Sequence, residues 1–227
     1  MWSQQAKLVA SDFAASDFFG GSVSISGDTI VFGADSDNTL IGTDAGSAYV
    51  FVRNAGVWTQ QAHLYATSPN AGDRFGFSVA VSGDTVAVGS ISDTTPAGSQ
   101  TGSVDVFVRS GGVWTPRTRI HNLASQSGGE FGHAVALSGS NLVICAWLED
   151  TVAGADAGVT YFYNLDCIPG DLNCDLTVDW NDVPLFVDAL LGIDDFAGCD
   201  VRRADITQDG LNDGRDVNPF VAMLSAP

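Results

Sequence analysis

The chain has 227 residues, of which 27 are acidic, 9 are basic and 26 are glycine, and its formal charge is -18 at pH 7. This length favours one or two domains, and 45% hydrophobic with 16% charged residues excludes a disordered chain. So acidic a chain repels phosphates, which argues against nucleic acid as a partner, and it has no apolar run of about 18 residues that would predict a membrane span. The acids are almost all Asp, which favours turns, caps and calcium ligation over helical surfaces.

A repeat of 56 residues occurs three times between residues 2 and 164. Its markers are Trp2, Trp58 and Trp114 and the Phe-Gly pairs that begin at Phe19, Phe75 and Phe131. In the first copy, alternation of polar and apolar residues predicts a strand at 21–25, and a continuous apolar run predicts one at 30–32. Two further strands are predicted at 48–52 and 57–64. The second copy predicts strands at 78–81, 85–88, 104–108 and 113–120. Four antiparallel strands in each repeat predict one propeller blade per repeat and a mainly β fold.

These repeats resemble the FG-GAP family, which occurs in integrin α-subunit heads and in many bacterial surface proteins. The resemblance covers residues 2–164 and depends on the Phe-Gly pairs and on the Val-Phe-Gly-Ala-Asp segment at 31–35. It implies a β-propeller. Calcium-binding members have an Asp-x-Asp-x-Asp-Gly loop between the first two strands, whereas this chain has a tight Ser-Gly-Asp-Thr turn, so we expect that site to be absent. The longer loop with Asp35, Asp37 and Asp44 is interpreted as an ordinary solvated loop.

The number of blades is the unusual feature of this prediction. Residues 2–8 have a fourth-strand sequence, and the repeats end after a third strand at 158–163. This offset predicts that the first strand completes the last blade, yet it gives only three blades where about four to eight are typical. Three arrangements stay open: a homodimer with six blades, a remnant of a longer array, or three open blades against another partner.

Residues 165–227 have a different composition and contain two copies of a calcium-type loop. Six oxygen ligands at loop positions 1, 3, 5, 7, 9 and 12 are predicted in each copy. The first set is Asp171, Asn173, Asp175, Thr177, Asp179 and Asp182. The second set is Asp205, Thr207, Asp209, Leu211, Asp213 and Asp216, with Thr177 and Leu211 offering backbone carbonyls. A helix with one apolar face follows each loop, as Val183, Phe186, Val187 and Leu190, and as Val217, Phe220, Val221 and Leu224.

A duplicated loop followed by a helix resembles the type I dockerin family, which attaches secreted enzymes to cohesin partners. The resemblance covers residues 170–226 and implies a small helical, EF-hand-type domain that binds up to two Ca²⁺ ions and a cohesin-like or surface partner. Leu176 replaces the glycine expected at position 6 of the first loop. The pairs 180–181 and 214–215 differ from the Ser/Thr pairs of cellulosomal dockerins, so the partner can differ as well.

The four cysteines and the start of the chain bear on its compartment. Met1–Gln5 lacks the basic and apolar stretches of a signal peptide, and we expect a secreted or cell-surface protein whose leader lies outside this chain. Cys174 with Cys199 is the preferred disulfide and Cys167 with Cys199 is the alternative, whereas Cys145 in an apolar run is predicted to be a buried free thiol.

No catalytic constellation is evident in the sequence. His63, His121 and His133 are interpreted as packing or surface residues, and no Ser-His-Asp pattern repeats around them. Trp58 and Trp114 are predicted to pack within or between blades, and Arg53 and Arg109 to act as edge charges. Glu130 and Glu149 have no obvious partners. We therefore expect a non-catalytic binding or adhesion protein that recognises a protein or a glycan; the alternative is an accessory component of extracellular polysaccharide degradation.

Overall fold

A computed structural model describes residues 1–122, 125–166, 170, 172, 178, 180–192, 204–207, 211 and 213–224. The chain divides into two compact units, Met1–Tyr163 and Asn164–Pro227. The first unit is built of antiparallel sheets, and the second contains two short helices.

The sheets are named here as blades, in chain order. Blade 1 contains β1 (Ser22–Ser26), β2 (Thr29–Ala34), β3 (Ser47–Asn54) and β4 (Val57–Leu64). Blade 2 contains β5 (Phe75–Ser82), β6 (Thr85–Ser90), β7 (Ser103–Ser110) and β8 (Val113–Ile120). Blade 3 contains β9 (Phe131–Ser138), β10 (Asn141–Ala146) and β11 (Val159–Asn164). Neighbouring strands in each blade are consecutive in the chain, as expected for a repeat whose strands are joined by hairpins and short loops.

The strands predicted in the first two repeats are confirmed, and their bounds are extended by a few residues. The tight turn between β1 and β2 pairs Ser26 with Thr29, which leaves no room for a cation-binding loop there. The register of the outer hairpin shifts after Val50 in blade 1 and after Val106 in blade 2. The shift in strand register therefore occurs at the equivalent position in both blades.

The expectation that residues 2–8 form the last strand of blade 3 is wrong for the single chain. Residues 1–10 form no strand, and the Trp2 side chain is exposed. Within the described residues blade 3 has the order β11–β10–β9, so β11 is an edge strand.

The apolar core of the first unit lies between blades 1 and 2. Val50 and Leu64 of blade 1 pack with Phe75, Val79 and Val86 of blade 2. β3, β5 and β6 are buried along most of their length, which is the pattern of strands that are covered on both faces. Burial between blades, rather than within one sheet, therefore stabilises the stack.

The second unit contains α1 (Val183–Leu190) and α2 (Val217–Leu224). Phe186 and Phe220 are buried and stack with ring centroids 3.9 Å apart. The predicted helices are confirmed, but Val187 and Val221 are exposed and the apolar face is narrower than the sequence suggests. Among the described residues, no helix has the length and apolar character needed to cross a bilayer.

Candidate functional site: the rim loops

Each blade has a loop between its second and third strands, and the three loops share one backbone conformation. We call residues 35–46, 91–102 and 147–158 the rim loops. Each contains one antiparallel bridge, at Thr39–Gly42, Thr95–Gly98 and Thr151–Gly154. Each also contains one non-glycine residue with positive φ at the equivalent place, namely Asp44, Gln100 and Asp156. The repeat is therefore retained in the loops as well as in the strands.

The tips of the rim loops expose apolar side chains. Leu40 and Ile41 are exposed in the first loop, Pro96 in the second and Val152 in the third. Exposed apolar groups on loops held by a rigid scaffold are typical of a contact surface.

A buried acid holds the rim loop of blade 1 against its sheet. Asp37 Oδ2 accepts hydrogen bonds from Ser47 Oγ at 2.5 Å and from Tyr49 OH at 3.2 Å. Burial raises the pKa of Tyr49, with the nearby Asp37 and Asp12 carboxylates adding to the effect, so the hydroxyl stays a donor. These partners fix the loop to β3. The interpretation of the loop as solvated is wrong for Asp35 and Asp37, which are buried, whereas Asp44 is exposed.

The same position in blade 2 is Asp93, and its partner is a cation. Asp93 forms a buried ion pair with Arg119 of β8. Beside it, Asp105 is fully buried and accepts a hydrogen bond from Thr67 Oγ1 at 2.5 Å. Burial raises the pKa of Asp105, against the opposing effects of Thr67 and Arg119. Asp93 Oδ1 and Asp105 Oδ2 have no hydrogen-bond partner among the described residues.

In blade 3 the equivalent acid is Glu149, and the expectation that it has no partner is wrong. Its carboxylate accepts hydrogen bonds from Tyr161 OH at 2.5 Å, from Ser125 Oγ at 3.1 Å and from Asn122 Nδ2 at 3.4 Å. Burial and the Glu149 carboxylate raise the pKa of Tyr161. The acids at 37, 93 and 149 recur every 56 residues, which is the sequence signal that could have identified them.

Glu130 also has hydrogen-bonding partners that were not predicted from the sequence. Trp147 Nε1 donates to Glu130 Oε2 at 2.6 Å, and His133 Nδ1 lies 3.2 Å from the same oxygen. The His133 ring stacks on the Trp147 indole with centroids 4.5 Å apart. This histidine is therefore held by packing, as predicted.

The first two rim loops are also fastened to the segment that precedes the next blade. Gly72 N–H donates to the Thr43 carbonyl at 2.9 Å, and Gly128 N–H donates to the Ser99 carbonyl at 3.1 Å. Asp35 forms an ion pair with Arg74, which crosses from blade 1 to blade 2. The rim of these loops is therefore continuous from one blade to the next.

An open groove lies on the rim at blade 2. Its lining is polar and consists of Asn70, Ala71, Gly72, Asp73, Ser92, Thr94 and Gln100. Burial raises the pKa of Asp73, although the hydrogen bonds from Asn70 lower it. Amide and hydroxyl groups at a concave surface are suited to hydrogen bonding with a polar ligand.

His63 lies between two carboxylates at the outer strand of blade 1. Its Nδ1 lies 3.3 Å from Asp12 Oδ2, its Nε2 lies 3.5 Å from Asp37 Oδ2, and its ring stacks on Tyr49. Burial nevertheless lowers the pKa of His63, because desolvation outweighs both carboxylates. Burial likewise lowers the pKa of His121, with Arg119 adding to the effect.

The repeated arginines and tryptophans form contacts that differ in part from the expectation. Arg109 pairs with Asp84 and lies over the Trp114 ring, 5.0 Å from its centroid. Arg53, Asp28 and Trp58 repeat this arrangement in blade 1. The interpretation of the arginines as edge charges is therefore wrong, because they tie a hairpin turn to an outer strand. Trp114 Nε1 also donates to Gln61 Oε1 at 2.8 Å, which confirms packing between blades.

Six of the twelve predicted calcium ligands lie within the described residues. Asp182 and Asp216 are fully buried at the starts of α1 and α2. Asp182 Oδ1 accepts from Leu172 N–H, and Asp216 Oδ1 accepts from Thr207 N–H and Oγ1 at 2.9 and 3.0 Å. The remaining predicted ligands lie outside the described residues: Asp171, Asn173, Asp175, Thr177, Asp179 and Asp209.

The other described side chains of the second loop do not all face the same point. Thr207 Oγ1 lies 3.5 Å from Asp205 Oδ1, so Asp205, Thr207 and Asp216 converge. Asp213 instead pairs with Arg215, which lowers the Asp213 pKa to about 2. No group of three His, Cys, Asp or Glu side chains is arranged around a common point in the part of the chain that the structure describes.

Cys145 is a free thiol, as predicted, but it is half-buried rather than buried. Its Sγ lies 3.4 Å from Thr160 Oγ1 on β11. The other three cysteines, Cys167, Cys174 and Cys199, lie outside the described residues, so both disulfide alternatives stay predictions.

A family model for the FG-GAP repeat matches residues 2–51, 58–107 and 114–163. The three matches follow the 56-residue period and together cover more than half of the chain. The chain therefore belongs to the FG-GAP repeat family. No curated protein matches it significantly.

Proposed function

We propose that this chain is a non-catalytic binding or adhesion protein whose rim loops present a ligand platform. The observation that supports it most strongly is the rim itself. Three loops of one conformation are each held by a buried acid, at Asp37, Asp93 and Glu149, and expose apolar tips. Loops fixed in this way lose little conformational entropy on binding, which favours recognition of a protein or glycan surface.

A second candidate is an accessory component of extracellular polysaccharide degradation. The polar groove at blade 2 supports it, because the amides of Asn70 and Gln100 and the hydroxyls of Ser92 and Thr94 suit the hydroxyl groups of a sugar chain. On either hypothesis the expected location is extracellular or at the cell surface.

Binding by the rim is tested with two apolar-to-polar substitutions at the loop tips. Two control substitutions are made at the opposite end of the blades. The purified full chain is screened on a glycan array and on an array of extracellular proteins. We expect Leu40→Ser with Val152→Ser to weaken the strongest hit at least about tenfold, since the tips provide its apolar contacts. The control is Val57→Ser with Val113→Ser, two valines that are 63% and 62% exposed at the hairpins between the third and fourth strands.

Equal loss in both pairs of variants would place binding away from the rim. A hydrolase panel run on the same protein separates the two hypotheses, because turnover of any polysaccharide would contradict a purely binding role.

We further propose that residues 165–227 bind up to two Ca²⁺ ions and dock the chain to a cohesin-like or surface partner. Asp216 supports the calcium site, because its carboxylate is fully buried and Ca²⁺ prefers carboxylate oxygens. Thr207 and Asp205 add further oxygens beside it. Asp213 would have to leave Arg215 to join them, or act through a water as position 9 often does.

A further inference from the structure

The incomplete blade 3 and the exposed residues 2–8 fit each other position by position. In completed blades the fourth strand places one basic residue opposite a fixed position of the third strand. His63 is opposite Tyr49 in blade 1, and Arg119 is opposite Asp105 in blade 2. Counting back 56 residues from His63 gives Lys7, the single lysine of the chain.

Each of these basic residues meets the buried acid of its rim loop. His63 lies 3.5 Å from Asp37, and Arg119 pairs with Asp93. Blade 3 retains the acid as Glu149, beside Tyr161 of the edge strand β11, but it has no basic partner among the described residues. The basic residue at this position in the register of the repeat is Lys7.

The outer face of blade 1 shows that it is built to be covered by another blade. Val23 and Ile25 of β1 are 60% and 63% exposed, whereas their equivalents Val79 and Val81 of β5 are 7% and 5% exposed because blade 1 packs on them. Leu8 is packed against blade 1, in a cluster with Tyr49 and Phe51. Its equivalent Leu64 lies in the same way against blade 2.

We propose that residues Trp2–Leu8 of a second copy pair with β11 and place their Lys7 beside Glu149, while blade 1 of that copy covers blade 3. The exchange is reciprocal, so two copies form two identical contacts and close a six-bladed ring. It removes the exposed edge of β11 and buries the apolar face of β1 in one step. This assembly is independent of the ligand proposed for the rim.

Light scattering and cross-linking of the full chain test the proposal. We expect a dimer mass, and a carbodiimide link between Lys7 and Glu149 in an equal mixture of ¹⁴N- and ¹⁵N-labelled protein. Because Lys7 is the only lysine, the linked peptide is readily assigned, and about half of it is expected to join one light and one heavy chain. Glu149→Gln is the control that removes the link.

Charge reversal distinguishes the Lys7 contact from a general effect of charge. Lys7→Glu is expected to weaken the dimer at least about tenfold with no change in the monomer's fold, since Lys7 is exposed in the single chain. Ser3→Glu is the control, because it also adds a negative charge to the segment. Its equivalents Thr59 and Thr115 are exposed in completed blades, so Ser3→Glu should leave the dimer intact. Adding Glu149→Lys to Lys7→Glu is expected to restore the dimer. A monomer at all concentrations, links found only within chains of one isotope, or equal effects of Lys7→Glu and Ser3→Glu would each overturn the proposal.

Discussion

At the scale of single residues, each repeat has a buried acid at the same position, but the groups that contact this acid differ between blades. The acid at 37, 93 and 149 keeps its place after the second strand, and it binds tyrosine and serine hydroxyls in blades 1 and 3 but an arginine in blade 2. Spacing alone could have identified the acid. Its partners could not be predicted, because Ser47, Arg119 and Tyr161 reach it from strands whose register only the fold determines.

Asp105 gives a prediction about pH, because its folded pKa is raised by burial. A raised pKa means that the folded state holds the proton more tightly, so this group lowers stability as pH rises above its unfolded pKa of about 3.9. Asp105→Asn removes that charge. The free energy of unfolding of the variant, relative to that of the natural chain, should therefore increase between pH 4 and 7. The increase is about 1.4 kcal/mol for each pH unit that separates the folded and unfolded pKa values of Asp105.

Urea unfolding at several pH values measures this difference, with Asp156→Asn as the control. Asp156 is an exposed rim residue, so the same substitution there changes the net charge equally without altering a buried group. If Asp105→Asn instead loses stability relative to the natural chain as pH rises, the carboxylate is stabilised as an anion and the assignment is wrong.

At the scale of elements, the repeated glycines mark the seams where one blade meets the next. A Cβ on Gly33 would lie 1.8 Å from the Gly76 carbonyl oxygen, and one on Gly89 would lie 2.3 Å from the Gly132 carbonyl oxygen. Ser22 Oγ donates to the Gly76 carbonyl at 2.8 Å across the same seam. The Phe-Gly pairs at 75–76 and 131–132 are therefore explained by close backbone approach, together with the positive φ of Gly76 and Gly132.

Gly76→Ala tests this account of the seam. The new Cβ would lie 2.2 Å from the Ser47 carbonyl oxygen, which is backbone and has little freedom to move. Gly56 is a matched control with positive φ, and a Cβ added there would meet nothing within 4 Å. We expect Gly56→Ala to cost about 1 kcal/mol from the left-handed backbone, and Gly76→Ala to cost at least about 3 kcal/mol. Equal costs, measured by chemical unfolding, would show that conformation alone selects the glycine.

The strands were predictable because period-two alternation and turn residues are local signals, and they recur in three copies. The behaviour of residues 2–8 was not, although their sequence is that of a fourth strand. A strand needs a neighbour, and in the single chain residues 2–8 pair with no other strand. Arg53 and Arg109 were misinterpreted for a similar reason, since Asp28 and Asp84 are distant in sequence and become adjacent only when the sheet forms.

At the scale of the whole molecule, the chain combines two units whose apolar cores differ in size. The first unit buries apolar side chains between blades, as Val50, Phe75 and Val86 show. The second has a small core around Leu172, Phe186 and Phe220. A unit of this size buries little apolar surface, so a bound metal ion would contribute a large share of its stability.

Calcium should therefore raise the unfolding temperature of the second unit and leave that of the blades nearly unchanged. Ligand at about one hundred times its Kd adds about 2.7 kcal/mol, which for a domain this small corresponds to a shift on the order of 10 °C. Calorimetry of the full chain in calcium, magnesium and a chelator measures the shift. Asp171→Asn with Asp205→Asn removes one carboxylate from each loop and should abolish it, whereas Asp188→Asn removes the same kind of charge from α1 and should not. Each single variant then reports whether its own loop binds an ion. If calcium shifts no transition, or if Asp188→Asn abolishes the shift as fully as the loop variants do, the two loops do not bind calcium.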